Sequence, residues 1–212
     1  MISPLWTPED IPDQFVSAVA CLHGSSGAEQ VAGARALLNL ADQWYSDGIS
    51  AHAQHCIDVL CAYLRVRRYP RFPQSQQAES AVREQMTCLL ADFLRSGLRA
   101  VQGGILVNLT SACIRGRHDF DGVSFGPGLR LILDRAQLEE DARLSFDSCH
   151  FRDCIVRLDR VSLQKHAELS VVGSTVDAGA WLFASTADVH PTARVDVRGI
   201  TAPEAQGVLI HP

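Results

Sequence analysis

Apolar residues in the second half of the chain come in pairs five positions apart, and each pair returns eleven to thirteen residues later. The units read Leu109-Thr-Ser-Ala-Cys-Ile114, Phe120-Asp-Gly-Val-Ser-Phe125, Leu133-Asp-Arg-Ala-Gln-Leu138, Phe146-Asp-Ser-Cys-His-Phe151, Leu158-Asp-Arg-Val-Ser-Leu163 and Val171-Val-Gly-Ser-Thr-Val176. A fixed period of this kind marks a solenoid, in which no unit buries its own apolar face and each stacks on its neighbour. From residue 120 the first anchors fall at 120, 133, 146, 158, 171 and 183, and the second at 125, 138, 151, 163, 176 and 189. Small residues keep the same step in a third column of Ala142, Cys154, Ala167, Ala180 and Ala193. Around the anchors apolar and polar residues alternate, as in Leu144-Ser-Phe146 and Leu169-Ser-Val171, which predicts strands with one buried face. These strands are only about three residues long, and Asp-Gly, Asp-Arg, Asp-Ser or Gly-Ser pairs separate them as turn formers. Short strands with regular corners predict a parallel β-helix. An antiparallel meander would need longer strands and Asn-Gly or Gly-Gly hairpins.

The first hundred residues follow the helical period instead. A helix is expected from near residue 12, after the Thr7-Pro8-Glu9-Asp10 cap signal, burying Phe15, Val19 and Leu22 and ending at His23-Gly24. A second is expected from about Ala28 to Tyr45, with Val31, Ala34, Leu38, Ala41 and Tyr45 on one stripe and Asp47-Gly48 closing it. The third is expected to be capped by Ser50 and to bury Ile57, Leu60, Cys61 and Leu64. The fourth should run from about Ala78 to Arg95, with Val82, Met86, Leu89, Leu90 and Phe93 inside and Ser96-Gly97 as its stop. Segment 66–77 is then the longest loop. Successive amphipathic helices with short connections predict a small α-solenoid-like domain over 1–104, followed by the β-helix and a C-terminal tail over 105–212. An open β-helix end exposes unpaired strands, and the helical domain is the obvious cap.

Apolar-x-x-small-x-apolar with anchors five apart resembles the pentapeptide repeat, whose centre is Leu or Phe. The whole chain is similar to actinobacterial pentapeptide-repeat proteins with a helical region before the repeats, through Asp13-Gln-Phe-Val-Ser-Ala-Val19, residues Val31 to Trp44, and Gln54-His-Cys-Ile-Asp-Val-Leu-Cys-Ala-Tyr-Leu-Arg65. That resemblance implies a right-handed, four-sided β-helix. Ser124, Gln137, His150, Ser162 and Thr175 stand where the family prefers Asp or Asn. Two units make a coil of about 25 residues, longer than the four pentapeptides of a regular coil, so loops at some corners and an irregular cross-section are expected.

Composition narrows the setting. No apolar run is long enough for a membrane span, and no signal peptide opens the sequence. Seven cysteines without regular spacing suit a reducing cytoplasm, which is the expected location. The net charge of −5 is spread evenly over both halves, which disfavours nucleic-acid binding through a basic footprint.

Candidate chemistry is sparse. His52, His55 and Cys56 have ligand-type side chains at a helix start, where a solvated face is the simpler reading, and His150 and Cys154 occupy repeat columns. No metal, catalytic or cofactor site is expected. Asp121, Asp134, Asp147 and Asp159 form an acidic column, each directly after a first anchor; corner hydrogen bonding is favoured over cation binding or imitation of a phosphate backbone. Arg65, Arg67, Arg68 and Arg71 with Tyr69 and Phe72 make the one basic and aromatic cluster, the best surface for an acidic partner.

Two functional classes follow. The first is a noncatalytic interaction or scaffold module with an unknown protein partner. The alternative is a DNA mimic acting on a type II topoisomerase, a use the resemblance makes available but which needs a more negative rod. A left-handed hexapeptide acyltransferase is excluded by the period. The tail residues Val208, Leu209 and Ile210 either fold over the last coil or meet a second copy there, and a homodimer through this end is the expectation.

Overall fold

The computed structural model describes residues 12–66, 73–96, 104–177, 179–202 and 207–211, with side chains described except at 73–76, 96 and 207–211. Four helices precede stacked coils of short parallel strands, a β-solenoid of about four turns. The helices are α1 (Asp13–Leu22), α2 (Gly27–Ser46), α3 (Ser50–Arg65) and α4 (Pro73–Ser96). Ser26 starts α2 with a capping box: its hydroxyl accepts from Glu29 N while the Glu29 carboxylate accepts from Ser26 N. Two expectations need correction. Ser50 is the first residue of α3, not its cap, and Ile49 before it makes no side-chain cap. Helix α4 begins at Pro73, whose fixed φ suits a first turn, so residues 73–77 of the expected loop are helical. The cap signal at Thr7 to Asp10 lies outside the described residues.

Helix α2 packs on α1, α3 and α4, while α3 and α4 lie against the first coil. Leu22, Leu37, Ile57, Leu60 and Met86 are fully enclosed between these helices. Leu37, Leu40 and Trp44 are buried beyond the stripe expected for α2, because that helix is covered on more than one side.

The first coil contains β1 (Leu106–Asn108), β2 (Cys113–Ile114), β3 (Arg117–Asp119) and β4 (Ser124–Phe125), and the second β5 (Arg130–Ile132), β6 (Gln137–Leu138), β7 (Arg143–Ser145) and β8 (His150–Phe151). In the third, one strand, β9 (Ile155–Leu163), spans two sides before β10 (Glu168–Ser170) and β11 (Thr175–Val176). The fourth repeats this with β12 (Trp181–Val189) and β13 (Arg194–Asp196), and β14 (Gly207–His211) adds to β12. These long strands depart from the uniformly short ones expected. All pairs are parallel, and Leu106, Arg130, Ile155 and Trp181 stand opposite one another, giving steps of 24, 25 and 26 residues.

The extra residues relative to pentapeptides are absorbed in short corners such as 109–112, 120–123 and 126–129, and among the described residues between Leu106 and Asp196 no protruding loop forms. The corners turn through left-handed residues stacked in columns. Gly122, Ser148, Gly173 and Gly199 make one, and Gly104, Gly128, Asp153 and Gly179 another.

Inside, the anchors Phe120, Leu133, Phe146, Leu158, Val171, Phe125, Leu138, Phe151, Leu163 and Val176 are all buried, with Ala136, Cys149 and Val161 beside them. Phe120 stacks on Phe146 at 5.2 Å and Phe125 on Phe151 at 5.0 Å between ring centres. The anchor expected at Phe183 is displaced: Ala184 stands opposite Leu158, the β12 register slips beyond it, and the second anchor Val189, opposite Leu163, is 40% exposed.

Candidate interaction surface

The joint between helices and coils is polar at its rim. Gln54 of α3 treats β1 as a strand would, its amide NH2 donating to Leu106 O at 2.7 Å and its carbonyl accepting from Leu106 N at 2.9 Å. Arg83 of α4 donates to Leu64 O in the last turn of α3 and to Val66 O at its C-cap, and pairs with Glu79. Arg95 reaches Asp121 O at 2.9 Å. Between them His118 is buried, its Nδ1 2.8 Å from Thr87 Oγ1 and its Nε2 2.8 Å from Arg115 O. Burial pushes its pKa down to about 4. A cavity of about 20 Å³ remains between Leu64, Arg83, Thr87, Ala112, His118 and Phe120, room for one water molecule.

The period of the repeat could have exposed His118, which holds the inward place of Leu144, Leu169 and Val195. Gln54, Arg83 and Thr87 carry no such signal, because their partners are distant backbone and side-chain groups.

The four aspartates divide between two corners. Asp121 accepts from Ser145 Oγ and from Asp147 N (2.8 Å), and Asp147 accepts from Ser170 Oγ (2.5 Å) and Val172 N (2.7 Å). At the other corner Asp134 accepts from Asp159 N and Arg157 Nε, and Asp159 from Ser185 Oγ at 2.7 Å. Each carboxylate thus holds the coil that follows it. In the last coil Asp196 closes on Arg194 and Arg198, and the bonds to Arg198 hold its pKa down at about 2.

None of the seven cysteines forms a disulfide, and burial pushes the thiols of Cys56, Cys61, Cys149 and Cys154 up to about 12. His55 stacks on Phe15 and His52 meets the edge of Trp44. Cys154 is internal, whereas His150 is exposed and pairs with Asp177 at 3.0 Å, so those two are not brought together as ligands. Glu140, Asp141 and His166 cluster on one exposed corner, where Glu140 pairs with Lys165 and Asp141 with His166. Of the basic cluster, Arg65 lies in the last turn of α3, while Arg67, Arg68, Tyr69, Arg71 and Phe72 fall outside the described residues. Val208, Leu209 and Ile210 lie on β14 opposite Leu182, Phe183 and Ala184.

Two surfaces stand out among the described residues. An open groove of about 450 Å³ between α2 and α4 carries Val31 and Leu89 with Arg35, Glu84 and Asp92, charges of mixed sign. The other is the outer face of β1, β5, β9 and β12, where Trp181 is half exposed. Among the described residues no helix is long and apolar enough to cross a membrane. No family model matches this chain, nor does any curated protein sequence or solved structure match it.

Proposed function

We propose that the protein is a noncatalytic interaction or scaffold module of the cytoplasm, built on a pentapeptide-repeat-like β-helix and associating as a homodimer through its C-terminal end. The observation that carries this reading is the fate of the reactive groups. The corner aspartates are occupied by Ser hydroxyls and backbone N–H groups, four thiols are held protonated, and His118 is sealed under α4. What the molecule offers a partner is a rigid, regular exterior. Seven cysteines without a disulfide suit a reducing compartment.

The experiment is capture from the native host by the intact protein and by a variant in which Arg65, Arg67, Arg68 and Arg71 are neutralised. A stoichiometric protein partner, with no turnover of bound small molecules, is the expected result. DNA mimicry is tested separately: inhibition of topoisomerase supercoiling by an equimolar amount of protein would overturn the module reading in favour of it. Carboxylates spent on neighbouring coils, with Arg157 against Asp134, favour no inhibition.

A further inference from the structure

The register of β1, β5, β9 and β12 sorts their side chains into columns. Val107, Leu131, Val156 and Leu182 face one another and are buried, so their neighbours in each strand point outward. One outward column is Leu106, Arg130, Ile155 and Trp181; the next is Asn108, Ile132, Arg157 and Phe183, of which Ile132 is itself buried. Strands about 4.8 Å apart set these residues in a flat array.

Two features distinguish the array. Trp181 is 50% exposed, the one exposed Phe, Tyr or Trp among the described residues, and Ile155 and Phe183 beside it are half-buried. Folding itself gains little from a tryptophan left so far in water, whereas protein interfaces concentrate binding energy in Trp and Arg. The second feature is charge. Both ionisable residues of the array are arginines, on a solenoid that is otherwise acidic. Arg157 is tied to Asp134 at the edge, but Arg130 is exposed and has no ion-pair partner among the described residues.

We infer that this face docks an acidic segment of a partner protein, with a carboxylate on Arg130 and an apolar side chain against Trp181, Ile155 and Phe183. The inference rests on the interaction-module reading and names its surface and partner chemistry.

A random peptide phage library, panned on the full chain with counter-selection on the Trp181→Ala, Arg130→Glu double variant, tests it. Both side chains point outward, and matching thermal unfolding of variant and wild type confirms that the fold is kept. Enriched peptides should combine Asp or Glu with aromatic or aliphatic residues. A synthetic copy should lose about tenfold or more in affinity to either single substitution and weaken with added salt. Peptides that bind the double variant equally, or basic peptides, would overturn the assignment of this face while leaving the module reading standing. Failure to enrich any specific peptide would count against both. A wild-type dimer dissociated by Trp181→Ala would make the occupant a second copy and overturn the acidic partner.

Discussion

His118 occupies an inward column whose other members are Leu144, Leu169 and Val195, and its ring joins α4 to the first coil. Because burial lowers its pKa from 6.5 to about 4, the unfolded chain takes up the proton first. The group's contribution to stability is therefore intact above about pH 6.5 and is lost as the pH falls towards 4, amounting to about 3 kcal/mol at the lower limit. A proton there would also add a second cation beside Arg83, whose own counter-ion is Glu79. Urea unfolding at pH 7 and pH 5 should reveal the decline, and His118→Gln should flatten it; an unchanged slope in that variant would assign the acid sensitivity elsewhere. Backbone conformation sets a second residue-scale expectation. Gly122 turns its corner at φ +67 with nothing near a would-be Cβ, so Gly122→Ala should lose roughly 1–2 kcal/mol from left-handed strain alone. Gly126 has equally open space and no left-handed φ, and Gly126→Ala should stay within about 0.5 kcal/mol of wild type by denaturant titration.

At the scale of elements, the coils cohere through ladders. Phe120 on Phe146 and Phe125 on Phe151 make two aromatic stacks inside the solenoid, bridged by Phe125 against Phe146 at 6.3 Å. Removing Phe146 opens a cavity touching both stacks, so Phe146→Ala should lose about 3–5 kcal/mol in equilibrium unfolding. Such ladders were legible in the sequence because stacking demands the same residue class at every turn: Phe120, Leu133, Phe146 and Leu158 recur on schedule, and all are buried. Alternation within β7 and β10 marked the strands but not their burial: Ser145 and Ser170 at the polar places are buried as well, donating to Asp121 and Asp147. Legibility ended where periodicity did. Phe183 keeps the spacing of an anchor yet yields the inward place to Ala184, since a register slip is invisible in composition. The outward columns obey no repeat at all, and Arg130 and Trp181 become neighbours of one face only through strand pairing across different coils. Gln54 meets Leu106 across fifty-two residues of chain.

The whole molecule has two unlike ends. At the first coil α3 and α4 cover the interior, and Gln54 bonds both backbone groups of Leu106 on the β1 edge. At the other, β14 extends the seven-stranded sheet beyond β12, while β13 is the last strand of its sheet and Thr201 makes only an isolated bridge to Thr175. Val195 and Ile200 pack on the core there but remain partly exposed, and β14 carries an unpaired edge among the described residues. Unpaired strand edges beside apolar surface invite another chain, and a second copy meeting this end about a two-fold axis would satisfy both at once. The proposed homodimer therefore predicts a dimer by sedimentation at micromolar concentration, converted to monomer when the chain is cut after Pro203, because the cut removes β14 with Val208, Leu209 and Ile210. A monomer before and after the cut would overturn it, and the thermal unfolding of the shortened chain would then separate two roles for the strand: a lowered midpoint would identify β14 as a private cover for β12, and an unchanged one as an extension without structural weight.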